Sequence, residues 1–422
     1  MIGDVTVCGL GYVGLVVARE ACGAGLTVTG YDISEPVIEG LRAGRSHIDD
    51  VFSEDLAAMA ANGFTVTSDP AALGQADVVT ICVPTPLDEE GRPELVAVCK
   101  ATAQVAEWLR PGMLVVLEST SYPGTTDEVV RPILEEVSGL TAGVDFHLAF
   151  SPERIDPGNK VCTMAKTPKV VGGYTPACAT RAAEFYGRFV EKVVRARGTR
   201  EAEMAKLLEN TYRHVNIGLV NEMAMLCHQL DIDVWDVIEC AGTKPFGFQA
   251  FHPGPGVGGH CIPVDPHYLA FKARERGFVS GLIDAAERVN AGMPNWVVQR
   301  CGDLLRTRGR SLVGARTLLL GVTFKANIGD LRMSPAFPVA RELRARGSVV
   351  TYHDPFVDQW SVDGRPVPRQ SDLSAALRAA DLTVLLQDHS TYQAETLDGE
   401  ARLLFDARGL LADRASDRVE VL

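Results

Sequence analysis

The run 254–269, GPGVGGHCIPVDPHYL, sets Cys261 in a stretch too contorted for an ordinary helix or strand, with a carboxylate, Asp265, four residues on. Glycine admits positive φ and proline holds φ near one value, so this composition fixes an irregular loop. Three chemistries suit these residue types. The plainest is a structured turn with an incidental buried thiol. The second is metal binding by His260, Cys261, Asp265 and His267; adjacent ligands rarely face one ion, however, and no second Cys/His cluster at zinc-finger spacing occurs. The third is nucleophilic catalysis by a thiolate presented on a rigid loop.

A second constellation lies upstream. Residues 201–232, EAEMAKLLENTYRHVNIGLVNEMAMLCHQLDI, carry a long helical pattern without proline. Lys206, Asn210, His214 and Gly218 recur every four residues as a polar and small stripe, while Met204, Leu207, Leu208 and Leu219 form the expected packing surface. A solvated face is rich in Glu and Lys. This stripe holds Asn, His and Gly instead, which suits close packing beside a polar site.

The third constellation opens the chain. Residues 4–32, DVTVCGLGYVGLVVAREACGAGLTVTGYD, read as strand, glycine turn, helix and strand. Gly9, Gly11 and Gly14 have the G-x-G-x-x-G spacing, and Asp32 closes the second strand. Gly9 and Gly11 let the backbone approach a pyrophosphate, and Gly14 lets helix and strand pack. Tyr12 and Val13 begin a helix whose N-terminal N–H groups and dipole favour that anion. Asp32 suits an adenosine ribose and repels a 2′-phosphate, so the cofactor expected is NAD rather than NADP.

The remaining elements hold these groups in place. The runs 77–86, 113–120 and 147–154 are short and apolar and end in polar or proline-rich segments, as parallel strands buried on both faces do. Pro84, Thr85, Thr120, Glu153 and Arg154 fall at their carboxyl ends, where open α/β sheets bind ligands. A weak internal repeat relates 23–32 and 71–84 to 345–354 and 375–388. A second Rossmann-like unit therefore starts near Arg316; its first turn lacks the glycine fingerprint and offers Lys325 and Arg332 to a different phosphate ligand. The fold expected is α/β, with two doubly wound parallel-sheet domains, 1–198 and 299–422, joined by a central helical domain, 199–298.

Composition narrows the partners. A formal charge of −13 over 422 residues, without a basic stripe, argues against nucleic acid. Ten cysteines spread singly read as reduced thiols of a cytoplasmic protein, those at 8, 22 and 82 as small core residues. No signal segment and no bilayer-length apolar run is visible.

In order along the chain, GLGYVG with its Asp, ICVPTP, LESTSYPGTT, FSPERIDPGN, MAKLLEN, GPGVGGHCIPVDP and GVTFKANIGDLRMSPA resemble the UDP-glucose/GDP-mannose dehydrogenase family. The resemblance implies an NAD-dependent enzyme that oxidises carbon 6 of a nucleotide sugar, a UDP-hexose, to the carboxylate, acting as a homodimer through its central helix. It implies that Cys261 is the nucleophile, and that Lys206 and Asn210 stabilise the oxyanion and contact substrate. Asp265 orders the lysine and the hydrolytic water, and Glu153 and Thr120 help hold that water. Arg154, Gly258 and Lys325 fall on the substrate side, while Pro84, Thr85, Thr120 and Arg332 fall on the cofactor side. The run HCIPVDP, with Val264 before the aspartate, resembles the branch acting on N-acetylated sugars, placing UDP-N-acetylglucosamine or UDP-N-acetylmannosamine ahead of UDP-glucose. Two rival readings share the glycine turn: a two-electron hydroxyacid or 6-phosphogluconate type dehydrogenase, and an NAD-binding protein without chemistry.

Overall fold

Strands covered on both faces need no alternation of apolar and polar residues, and the apolar runs of this chain form such strands. The computed structural model describes residues 2–48, 50–155, 161–259 and 261–422 and divides into two units, Met1–Glu209 with His267–Phe278 and Asn210–Pro266 with Val279–Leu422.

In the first unit β1 (Asp4–Cys8), β2 (Thr27–Tyr31), β3 (Thr65–Thr67), β4 (Val78–Ile81), β5 (Leu114–Leu117), β6 (His147–Phe150), β7 (Lys169–Gly173) and β8 (Val193–Arg195) form one sheet in the order β3-β2-β1-β4-β5-β6-β7-β8. Val7, Val28, Val78, Leu114 and Val116 are wholly buried along it, each contributing about 1.5–3 kcal/mol of burial. The expected parallel pairing holds from β3 to β6, but β7 runs antiparallel to β6, with Phe150 opposite Gly172. Gly172 is required there, because a Cβ would lie 2.2 Å from the Gly198 carbonyl oxygen.

In the second unit β9 (Arg316–Leu320), β10 (Val349–His353), β13 (Leu382–Leu385), β14 (Leu404–Asp406) and β15 (Val419–Val421) form a fully parallel sheet, and β11 (Ser361–Val362) and β12 (Arg365–Pro366) form a small hairpin. The internal repeat extends to individual hydrogen bonds. Gly9 donates its N–H to the Tyr31 carbonyl at 2.8 Å, and Gly321 donates to that of His353 at 3.0 Å. The next residue in each turn, Leu10 or Val322, donates to the aspartate after the following strand: Asp32 at 2.8 Å, Asp354 at 2.7 Å. The second turn carries Thr323 and Ala326 where the first has Gly11 and Gly14. His389 Nε2 lies 3.1 Å from Asp354, occupying the carboxylate whose counterpart is expected to meet a ribose.

The helix Thr199–Gln229 is continuous over 31 residues. Its polar stripe faces inward: Lys206 is 8% exposed, Asn210 5% and His214 1%. Gly218 belongs there too, since a Cβ would sit 3.0 Å from Ala286 Cα on the helix Gly281–Arg306. Of the four apolar residues expected to pack, only Leu207 is buried, while Met204, Leu208 and Leu219 are exposed. The helix turns its polar groups toward the protein, and amphipathicity alone assigns the opposite face. Among the described residues no helix is long and apolar enough to cross a membrane.

Candidate functional site

The glycine turn separates fold from binding. Gly9 adopts φ +93°, and a Cβ there would lie 2.7 Å from the Cys82 carbonyl oxygen; at Gly14 it would lie 1.8 Å from the Gly9 carbonyl oxygen. A Cβ at Gly11 meets nothing within 4 Å, so that side of the turn is open. This is the cradle a pyrophosphate needs at the N-terminus of the helix Tyr12–Gly23, where Tyr12 and Val13 form the first turn. Asp32 holds the turn as well as facing its edge: it accepts from Leu10 N at 2.8 Å and Ser34 N at 2.9 Å, leaving each oxygen a further acceptor position. Asp32→Ala should therefore lower the NAD:NADP ratio of kcat/KM by about tenfold or more, the worth of one charged hydrogen bond. An unchanged ratio in initial-rate assays would mean the carboxylate serves only the turn.

The loops after β4 and β5 are tied together by Ser119 Oγ, which donates to the Val83 carbonyl at 2.7 Å. This fixes Thr85, which is buried, beside exposed Pro84 and half-buried Thr120. After β6, Glu153 Oε1 accepts from the N–H groups of Arg154 and Ile155, both at 2.6 Å, and Oε2 lies 3.3 Å from Lys169 Nζ. Arg154 pairs with Glu209 at 2.7 Å and donates to the Pro168 carbonyl at 2.6 Å, so its guanidinium braces this loop against the long helix.

Three residues before Lys206, Glu203 reaches into the loop that follows Thr120. It accepts from Gly124 N at 2.5 Å and from Thr126 N and Oγ1 at 2.8 and 2.7 Å. Burial pushes the Glu203 carboxyl up to about 7, against those donors. Because the folded value lies above the ordinary one, the folded state binds this proton more tightly. The associated stability is present below the ordinary carboxyl range and is lost as pH rises through about 7. Relative to wild type, Glu203→Gln should thus gain about 2–3 kcal/mol between pH 5 and pH 8, read as a difference of melting curves. A constant offset between the two proteins would contradict it.

In the second unit the cysteine loop is built from backbone contacts. Asp265 begins the helix Asp265–Glu275 and donates its N–H to the Cys261 carbonyl at 2.9 Å, so the exposed thiol-bearing residue and the buried carboxylate are one turn apart. Asn210 Nδ2 donates to Asp265 Oδ2. Asn210 and Lys206 are in turn successive members of the buried stripe of one helix. At the loop's start Gly254 N donates to Asn221 Oδ1 at 3.0 Å; Asn221 donates to Asn290 at 3.0 Å, and Asn290 to the His214 carbonyl at 3.2 Å. Gly258 and Gly259 lie against the loop after β9: a Cβ on either would come within 2.8 Å of Phe324, and Gly259 N donates to the Arg332 carbonyl at 3.0 Å. That loop carries Lys325 and Arg332, the latter forked onto Asp330 at 2.9 and 2.5 Å. His260 and residues 156–160 of the FSPERIDPGN run lie outside the described residues. Among those described, no three His, Cys, Asp or Glu side chains gather to hold a metal ion.

Cys261, Asp265, Asn210, Gly258, Lys325 and Arg332 thus belong to one unit, and the glycine turn, Asp32, Pro84, Thr85, Thr120, Glu153, Arg154 and Lys206 to the other. Sequence reasoning passed over Glu203, Glu118, Lys169 and the Asn221 and Asn290 pair. Glu203 was within reach, one helical turn before Lys206 on the same stripe; Lys169, a lone charge opening the apolar run KVVGG, was a fainter sign.

Family profiles match across the chain: the NAD binding domain of the UDP-glucose/GDP-mannose dehydrogenase family over residues 3–190, its central domain over 200–292 and its UDP binding domain over 318–413. The chain is 40% identical to a UDP-N-acetyl-D-glucosamine 6-dehydrogenase of Pseudomonas aeruginosa over 84% of its own length and 83% of the relative's. It is 34% identical to a UDP-N-acetyl-D-mannosamine dehydrogenase of Salmonella typhi over 96% and 98%. A solved UDP-D-ManNAc dehydrogenase from Pyrococcus horikoshii superposes with a TM-score of 0.90 at 32% identity, covering 99% of this chain and 98% of that one.

Proposed function

Because the chain belongs to the UDP-glucose/GDP-mannose dehydrogenase family and is an NAD-dependent nucleotide-sugar dehydrogenase, we propose that it oxidises carbon 6 of a UDP-N-acetylhexosamine to the carboxylate through a thioester on Cys261. One observation carries this reading: an exposed cysteine on a glycine loop, one turn before a buried aspartate that is bound by the helix asparagine. The names of the relatives at 40% and 34% identity support the N-acetylated sugar over glucose.

In this reading residues 1–198 hold NAD, residues 299–422 hold the nucleotide of the substrate, with Lys325 on its phosphates, and residues 199–298 supply the cysteine loop. NAD, when bound, accepts the hydride of each of the two oxidations. The Cys261 thiolate adds to the aldehyde left by the first, forming a carbon–sulfur bond and an oxyanion, which Lys206 and Asn210 stabilise. After the second oxidation the product is a thioester. Water adds to the acyl carbon, the carbon–sulfur bond breaks, and the thiolate is regenerated; the family resemblance gives Thr120, Glu153 and Asp265 the task of holding that water. Met204, Leu208, Tyr212, Leu219 and Leu226, spaced along one side of the long helix and each at least 38% exposed, are the surface on which a second copy packs to form a homodimer. The enzyme works in the cytoplasm, where its cysteines stay reduced.

The test is a panel of UDP-, GDP- and TDP-linked sugars with NADH formation as readout. UDP-N-acetylhexosamines should give the highest kcat/KM. A preference for GDP-mannose or for UDP-glucose would overturn the assignment of substrate.

A further inference from the structure

The second unit buries a histidine that the scheme above leaves without a task. His389 follows β13 and is 1% exposed, and both of its ring nitrogens are engaged. Nδ1 accepts the N–H of Asn327 at 2.9 Å, while Nε2 lies 3.1 Å from Asp354 Oδ2 and 3.4 Å from Thr323 Oγ1. We propose that His389 is a positioning residue for the nucleotide sugar: with Ser390 it pins the turn 322–327 in the shape that presents Lys325 to the substrate's diphosphate. The proposal rests on the assignment of Lys325 to those phosphates.

The donors fix the ring. A backbone nitrogen can only donate, so Nδ1 facing Asn327 carries no proton, and the ring N–H sits on Nε2, directed at the Asp354 carboxylate. That carboxylate also accepts from Val322 N at 2.7 Å and from Phe356 N at 2.8 Å. The imidazole therefore links the start of the turn, where Val322 meets Asp354, to its far end at Asn327. Two further bonds close the clamp: Asn327, at φ +64°, accepts on Oδ1 from Ser390 N and Ser390 Oγ, both at 2.9 Å. Between these anchors Thr323 Oγ1 donates to the Lys325 carbonyl at 2.9 Å.

The matching carboxylates of the two units thus have different uses. Asp32 keeps acceptor positions open beside its turn, whereas Asp354 is wholly buried with His389 against it and serves the loop instead. Gly321, at φ +71°, lets the two loops approach, since a Cβ there would lie 2.4 Å from the Gln387 carbonyl oxygen. Packing alone cannot hold this turn, because Lys325 and Ala326 are half-buried and Asn327 is exposed. A lysine on a loose turn would have to be ordered when the diphosphate binds. Hydrogen bonds from 389–390 order it beforehand, which removes that cost from binding.

The experiment measures UDP and NAD binding separately by calorimetry, together with KM and kcat for the nucleotide sugar. His389→Gln keeps a donor near the Nε2 position and removes the Nδ1 acceptor. It should weaken UDP binding and raise KM about tenfold, the effect of one buried hydrogen bond, with kcat within about twofold and NAD affinity unchanged. His389→Asn puts Oδ1 where Nδ1 was, keeps the bond to Asn327, and should hold UDP affinity within about threefold of wild type. Should the histidine variants fail to fold, Asn327→Gly reads the same clamp at an exposed position. Glycine keeps the positive φ and the N–H but loses both Ser390 bonds, and UDP binding should weaken several-fold. Unchanged UDP affinity in His389→Gln or in Asn327→Gly, or UDP and NAD weakening together, overturns the clamp. Lys325→Met, measured alongside, separates the two readings. If it binds UDP as the wild type does, the placing of Lys325 on the phosphates falls; if it weakens UDP binding and His389→Gln does not, only the role of His389 falls.

Discussion

Cys261→Ala should stop the reaction short of the acid, lowering carboxylate formation on the order of 10⁶-fold, as loss of a catalytic nucleophile does elsewhere. An aldehyde gives up a hydride poorly until a nucleophile has added to its carbon, and alanine offers none. Because Cys261 is exposed, its replacement should leave stability within about 0.5 kcal/mol, so lost turnover cannot be charged to unfolding. Cys261→Ser separates nucleophilicity from shape. Its hydroxyl is ionised far less readily than a thiol, so the serine variant should also stall after partial oxidation. Product analysis by mass spectrometry distinguishes the cases. Normal acid output from either variant would show that no thioester on Cys261 is needed, and unchanged turnover ending after one hydride would favour the two-electron alternative, in which no cysteine takes part.

Lys206→Met carries the second large effect, on the order of 10²–10³-fold in kcat, the range for loss of one oxyanion stabiliser. Lys206 is 8% exposed, and no ion pair to it occurs among the described residues. Burying an ammonium costs free energy, and methionine keeps the length of the stem while removing the charge. The variant should therefore melt at the same temperature as wild type or higher while losing activity. A lysine retained only for packing would move both quantities downward together. Full turnover by the variant would remove Lys206 from the chemistry.

What could be read in advance follows the range of each signal. The glycine turn with Asp32, the parallel strands and the repeat that makes Asp354 the counterpart of Asp32 are each encoded in short stretches of chain, and local pattern reveals them. The clusters that pattern missed join distant segments: Glu118 with Lys169 across 51 residues, Asn221 with Asn290 across 69, and Glu203 with Gly124 across 79. Each is a charge or amide whose partner exists only after folding. The long helix shows a different difficulty. The unusual composition of its stripe, asparagine, histidine and glycine in place of lysine and glutamate, pointed inward correctly, whereas the apolar residues Met204, Leu208 and Leu219 pointed outward against the usual rule. The reversed β7 had no sign in its apolar pattern, because hydrophobicity does not encode strand direction.

The measurement that reaches the central claim most directly is the ratio of NADH formed to nucleotide sugar consumed at completion, with UDP-N-acetylhexosamine limiting and NAD in excess. Oxidation carried past the aldehyde by the sulfur of Cys261 requires two NADH per sugar in the wild-type enzyme and no completed second oxidation in Cys261→Ala. A ratio of one in the wild type, or of two in the alanine variant, would contradict it.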